Sequence, residues 1–286
     1  MRENISTKGD SMKKTLYISD LDGTLLNPSA QLCEASATII NKIIRAGGLF
    51  TYATARSFTS SRPITAALDL TLPIATYNGA FLVSPDNGET IAGCAFEHKG
   101  AIALVNQVMD AGFCPVVNAI IDGRERVSYY TGNISRGTAM YLEGRAGDRR
   151  LRAVDEIAGL YEGEVFYMTI IGEEEALSPL VCDVTKNMHV GHSFQRDTYQ
   201  DDFWLELFPR EASKARAVEL LRAHTGAEHV VCFGDNKNDI PMFMAADECY
   251  AVENACDELK AVASGVVAAN TADGVARWIE ADFSAL

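Results

Sequence analysis

Two rhythms of apolar and polar positions run through this chain. Between residues 14 and 20 a short apolar run, Leu16-Tyr-Ile18, breaks into acids and reads as a buried strand; over 31–46 apolar residues recur every three or four positions, as on one face of a helix. The same alternation continues with a strand near 49–54 and a helical stretch near 58–68. It resumes after residue 200, with a strand at Phe203-Trp-Leu-Glu-Leu-Phe208, a helix at 213–225, a strand at 229–234, a helix at 239–246 and a strand at 248–252. Strands that alternate with helices imply right-handed crossovers and a parallel sheet with helices on both faces. Between these halves, over 84–198, the texture is different: turn signals at Asp86-Asn-Gly88 and Asp122-Gly123, a helical run at 99–111, and β-rich runs at 113–121, 126–131 and 165–171. The expected fold is therefore α/β, with a Rossmann-like, doubly wound parallel-sheet core domain built from 14–83 and 199–286 and an inserted α+β domain over 84–198. Residues 1–13 are polar and charged and are expected to form a disordered extension.

Composition narrows the function classes. With 286 residues and 48% hydrophobic content the chain can bury a substantial core. It has no apolar stretch long enough to span a bilayer, and residues 1–13 lack the apolar middle of a secretory signal, so a cytoplasmic protein is expected. A net charge of −14 argues against nonspecific nucleic-acid or anionic-membrane binding. It does not exclude a small phosphorylated metabolite, because a bound cation and local charges such as Lys214 and Arg56 can reverse the sign inside one pocket. The cysteines at 33, 94, 114, 182, 232, 249 and 256 form no closely spaced metal or redox pair and read as reduced thiols. The pair in His189-Val-Gly-His192 lacks a Cys or acidic partner at metal-ligand spacing. Oligomeric state is not legible.

The chemistry concentrates at predicted element ends, where parallel sheets build their sites. In Asp20-Leu-Asp22-Gly23 the two carboxylates are two residues apart, so an extended chain directs both to one face while Gly23 permits a sharp exit turn. An ordinary strand ending in an Asp-Gly turn would look the same. A second apolar run ends in Gly234-Asp235-Asn236-Lys237-Asn238-Asp239, where Asp235 can serve a hard cation such as Mg2+ that prefers oxygen ligands. The alternative is a set of acids solvating a loop before a helix with Pro241 in its first turn. Thr54 ends a strand-like run and suits either a phosphoryl oxygen at a helix N-terminus or a plain N-cap. Lys214, following the potential N-cap Ser213, suits a phosphate; a surface lysine is its bland counterpart.

Four motifs in order, Asp20-Leu-Asp22-Gly-Thr-Leu-Leu, Thr54-Ala-Arg56, Ser213-Lys214 and Gly234-Asp235-Asn236-Lys237-Asn238-Asp239, resemble the haloacid dehalogenase-like hydrolase superfamily in its Cof-type, type IIB cap branch. Tyr77-Asn78-Gly79-Ala80 and Asn270-Thr-Ala-Asp-Gly274-Val extend the resemblance over nearly the whole chain. It implies a Mg2+-dependent phosphatase of small phosphomonoesters, sugar phosphates foremost, acting through an aspartyl-phosphate, with the insert as a cap over the site. Asp20 would be nucleophile and metal ligand. Asp22 would be acid and base, with its main-chain carbonyl on the metal. Asp235 and Asp239 would complete the metal site, Thr54, Lys214 and Asn238 would hold phosphate, and Arg56 and Asn78 would meet substrate. Polar positions of the insert, among them Asn118, Asp122, Arg124, Tyr129, Arg136 and Tyr141, are candidates for its specificity. Ala55 and Ala215 stand where this family usually has glycine, which puts Arg56 and Asn78 in question if either position requires positive φ. A sugar phosphomutase, or a non-catalytic sugar-phosphate-binding regulator, is the alternative outcome.

Overall fold

A computed structural model describes residues 13–196 and 202–285. Apart from Lys13, the expected extension at 1–13 lies outside the described residues. The chain divides into two compact units, Met1–Ala92 with Ser213–Leu286, and Gly93–Ala212.

The first unit is built on a five-stranded sheet in the order Gly265–Val267, Glu248–Val252, His229–Gly234, Thr15–Ser19, Leu49–Tyr52, with every neighbouring pair parallel. Its central strands are apolar in continuous runs, as a sheet covered on both faces requires. Leu16, Tyr17, Ile18, Val230, Val231, Cys232 and Phe233 are all buried. Helices Glu34–Arg45 and Gly274–Ala285 pack together, as do Lys214–Thr225 and Ile240–Ala245, and the two pairs flank the sheet. This is the doubly wound architecture expected from the alternation.

The helical stretch expected at 58–68 shrinks to Phe58–Ser61, followed by turns. Pro63 removes a backbone donor there, and hydroxyls compete for the carbonyls: Ser61 Oγ donates to Ser57 O at 2.9 Å and Thr65 Oγ1 to Ser61 O at 3.1 Å.

In the second unit, a six-stranded sheet runs Val190–Arg196, Phe203–Pro209, Glu164–Gly172, Val116–Ile121, Arg124–Tyr130, Leu151–Val154. Its pairs are antiparallel except the last. Asp122 and Gly123, at φ 50° and 71°, make the tight turn of the hairpin between Val116–Ile121 and Arg124–Tyr130. Leu104, Val105 and Val108 of helix His98–Asp110, with Leu177 and Leu180 of helix Glu174–Val184, cover Val117, Val165, Ile170, Leu205 and Leu207 to form its core. Of the candidate specificity positions, Asn118 and Tyr141 are buried, whereas Asp122, Arg124 and Arg136 are exposed.

The division corrects the sequence boundaries at 84 and 198. The Asp86-Asn-Gly88 turn leads into Thr90–Gly93, a strand of the three-stranded sheet that also holds Ile74–Thr76 and Phe81–Val83. The larger shift concerns Phe203–Pro209, expected as the resumption of the core. It pairs antiparallel with Val190–Arg196 and Glu164–Gly172, as a strand of the insert's own sheet. Its pattern has the physical signature of that setting: Leu205 and Leu207 are buried while Trp204, Glu206 and Phe208 are only partly so, an alternation unlike the solid run Leu16–Ile18. No helix among the described residues is long and apolar enough to cross a membrane.

Candidate active site

Thr15–Ser19 and His229–Gly234 are adjacent parallel strands from which the chain proceeds in opposite directions across the sheet, so their carboxyl ends flank a crevice. Asp20 and Asp235 are the next residues. The Asp20 N–H continues the ladder, donating to Phe233 O at 2.9 Å, and its side chain is buried. The chain then turns sharply, closed by Leu26 N–H to Leu21 O at 2.8 Å. Gly23 sits at φ 75°, and a Cβ there would lie 2.3 Å from Asp235 Oδ2, so glycine serves both the turn and the approach of that carboxylate. Thr24 Oγ1 donates to Asp235 Oδ1 at 3.1 Å. Two asparagines hold the turn from behind: Asn254 Nδ2 donates to Gly23 O at 2.7 Å, Asn270 Nδ2 to Leu26 O at 2.8 Å, and Asn270 N–H to Asn254 Oδ1 at 3.0 Å. Asn270 was visible in a motif; Asn254, two residues past a strand, carried no sequence signal.

Lys214 opens helix Lys214–Thr225, whose N-cap Ser213 accepts from Arg216 N–H at 3.2 Å. Its ammonium is fully buried and donates to Asp20 Oδ1 at 2.5 Å and Asp239 Oδ1 at 2.6 Å. The other oxygen of Asp239 accepts from the N–H groups of Asp235 and Asn236, at 2.9 and 3.1 Å. Asp239 is thus wholly committed: one oxygen anchors the lysine and the other shapes the loop that presents Asp235. The surface-lysine and solvated-loop readings do not describe these side chains.

Carboxylate oxygens of Asp20, Asp235 and Asp239 lie within 4.8 Å of one another. One ammonium faces these three acids, and the electrostatics follow from that excess. Burial holds the Asp20 carboxyl well above its usual range; Lys214 opposes this, and Asp239 and Asp235 add to it. Burial and then Asp239 push Asp235 up to about 6. Burial disfavours the charged Lys214 as well, but Asp20 and Asp239 outweigh it and hold the ammonium above its ordinary value. The two directions agree physically: the lysine gains from two anions, and the anions as a group still lack positive charge. The carboxylate of Asp22 is not in this group. It turns instead to Arg56, whose Nε and Nη2 donate to Asp22 Oδ2 and Oδ1 at 2.7 and 2.6 Å.

Thr54 is buried, and its hydroxyl accepts from Arg56 N–H at 3.1 Å. It is not the N-cap of the short helix Phe58–Ser61; Ser57 is, accepting from Ser60 N–H at 3.2 Å. Asn78 is brought to the same place by main-chain bonds, its N–H to Thr54 O at 2.9 Å and that of Tyr77 to Arg56 O at 3.0 Å. Tyr77, Asn78 and Gly79 take φ of 51°, 54° and 90°, and a Cβ at Gly79 would lie 2.2 Å from Ser213 O. Glycine there lets this tight loop seat beneath the start of the lysine's helix. Asn238, exposed, donates through Nδ2 to Asn78 Oδ1 at 3.4 Å. Ala55 and Ala215 are not among the residues at positive φ, so neither position asks for glycine. His189 and His192 are exposed and belong to no acidic metal-type cluster among the described residues.

Residues 17–279 match the family model of the haloacid dehalogenase-like hydrolases. The chain belongs to that family. This hydrolase is 24% identical over 278 residues to a 5-amino-6-(5-phospho-D-ribitylamino)uracil phosphatase of Bacillus subtilis, covering 95% of this chain and 98% of the relative. It is 25% identical over 272 residues to a pyridoxal phosphate phosphatase of Escherichia coli, covering 91% and 95% of the two chains. Its fold is shared with a crystal structure from Thermotoga maritima, at a TM-score of 0.75 and 23% identity over 94% of this chain and 97% of the other. It is also shared with a subclass IIB sugar phosphatase of the same superfamily, at 0.69 and 20% identity over 94% and 99%. Both of these curated relatives, matched over nearly their whole length, are phosphatases, and the hydrolase sits in their branch.

Proposed function

We propose that this hydrolase is a Mg2+-dependent phosphatase of small phosphomonoesters, sugar phosphates foremost, that carries the phosphoryl group on Asp20. The observation behind the proposal is the buried Asp20 carboxylate, gripped by Lys214 and crowded by Asp235 and Asp239 at the crevice between two parallel strands. The donors of this cluster are all carboxylate oxygens with too little positive charge among them, which fits a hard divalent cation. Asp20 and Asp235 would hold it with their side chains and Asp22 with its main-chain carbonyl, while Asp239, its oxygens engaged, would act from behind. A bound Mg2+ would supply charge neutralisation to the phosphoryl oxygens.

The protein's own groups divide the remaining work. An Asp20 oxygen attacks phosphorus, the bond to the ester oxygen breaks, and Asp22 gives that oxygen a proton. Asp22, now a carboxylate, takes a proton from a water that attacks the aspartyl-phosphate, releasing inorganic phosphate and restoring Asp20. Lys214 places positive charge between nucleophile and phosphoryl group, and Thr54 and Asn238 supply neutral hydrogen-bonding groups to it. The second unit, inserted between Thr54-Ala-Arg56 and Ser213-Lys214, would serve as the cap that reads the organic part. Small phosphorylated metabolites are the substrates named for the relatives, which supports the same class here.

Phosphate release from a panel of sugar phosphates, nucleotides and p-nitrophenyl phosphate is the test. Release is expected with Mg2+ and not with EDTA. No release from any ester, with activity appearing only as isomerisation once a sugar bisphosphate is added, would identify a mutase instead. Independently of turnover, Mg2+ is expected to raise the thermal midpoint of the protein by relieving carboxylate crowding, and Asp235→Asn to remove most of that rise. An equal Mg2+ response in Asp235→Asn, read by scanning calorimetry, would place the cation elsewhere.

A further inference from the structure

Asp22 is the one carboxylate of the proposed machinery whose side chain stands half in solvent, on a turn whose next residue is a glycine at positive φ. Nothing in that setting fixes where its carboxylate points, because a short exposed side chain keeps its rotamer freedom. Arg56 does fix it: Nε and Nη2 take the two oxygens separately, in the fork geometry that sets the plane of a carboxylate as well as its position. The fork is itself mounted on a held backbone. The N–H of Arg56 bonds Thr54 Oγ1 within its own loop and its carbonyl accepts from Tyr77 N–H of a second, so the backbone is held before the side chain reaches the loop of Asp22.

We propose that Arg56 is a positioning residue for Asp22, orienting that carboxylate toward the leaving oxygen, in place of the direct substrate contact its motif suggests. The inference rests on the reading of Asp22 as acid and base. A positioned proton donor matters most where the leaving oxygen is a poor one, as in an alkyl or sugar phosphate, and least for p-nitrophenyl phosphate, whose phenolate departs without a proton. A guanidinium that instead bound the phosphoryl group would matter equally for both esters. The conservative change separates the two roles further, because lysine keeps the charge and loses the fork.

The experiment measures kcat/KM, which reports the steps through departure of the leaving group, for a sugar phosphate and for p-nitrophenyl phosphate with the wild type, Arg56→Ala, Arg56→Lys, Asp22→Asn and the double variant Asp22→Asn/Arg56→Ala. Arg56→Ala is expected to lower kcat/KM about 100-fold on the sugar phosphate, the low end of general acid catalysis, and by no more than about 3-fold on p-nitrophenyl phosphate. Arg56→Lys is expected to resemble Arg56→Ala. Adding Arg56→Ala to Asp22→Asn is expected to cost little more, since a residue acting through Asp22 has nothing left to orient. Equal losses on both esters, recovery in Arg56→Lys, or additive losses in the double variant would each overturn the assignment. A wild type inactive on both esters would instead sink the phosphatase reading beneath it.

Discussion

Asp20→Asn is expected to lower phosphate release by at least about 10,000-fold, the scale of losing a covalent nucleophile. The change is nearly isosteric and leaves an amide oxygen to accept from Lys214, whose present bond to Asp20 Oδ1 is 2.5 Å. It also removes a negative charge from a place where burial already disfavours one. The variant should therefore fold and melt close to the wild type. Residual Mg2+-dependent activity within about 100-fold of wild type would mean that water, not Asp20, attacks phosphorus.

The second large effect belongs to Lys214, and it is a loss of stability as well as of activity. Its ammonium is fully buried between Asp20 and Asp239, themselves almost wholly buried. Lys214→Met would leave both carboxylates without their counter-charge, at a cost of roughly 3–5 kcal/mol. The pH dependence has a definite sign. Asp20 already has a raised value, and losing Lys214 removes the influence that lowers it. A carboxyl raised in the folded state favours folding while protonated and ceases to do so as pH rises through its folded value. The defect in Lys214→Met is therefore expected to be small near pH 5 and to grow toward pH 8, as measured by urea unfolding at several pH values. A destabilisation that does not change over that window would show that Lys214 contributes by packing alone.

Legibility varied with the kind of signal. The strands Thr15–Ser19, Leu49–Tyr52, His229–Gly234 and Glu248–Val252 were plain because a strand covered on both faces is apolar throughout. Phe203–Pro209 reads as a strand, but its place in the insert's sheet is not legible, since a local pattern does not record which distant strand it will pair with. Motif order pointed to residues that the fold does bring together: Asp20, Asp235, Asp239 and Lys214 converge, with Thr54, Asn78 and Asn238 linked through a neighbouring set of loops. What was not legible was the division of labour. That Asp239 spends its oxygens on Lys214 and the loop amides, or that Arg56 turns to Asp22, depends on side-chain directions that spacing does not encode. Asn254 was missed for a related reason: its task is to hold another loop's carbonyl, and a lone asparagine after a strand looks like any turn.

The covalent role of Asp20 is tested most directly by quenching the protein with acid during turnover of a sugar phosphate and locating the phosphoryl group by peptide mass spectrometry. One phosphoryl group on the peptide containing Asp20, absent in Asp20→Asn and absent with EDTA, is the predicted result. Rapid turnover with no phosphoryl group on any carboxylate at any quench time, or with one located elsewhere, would contradict it.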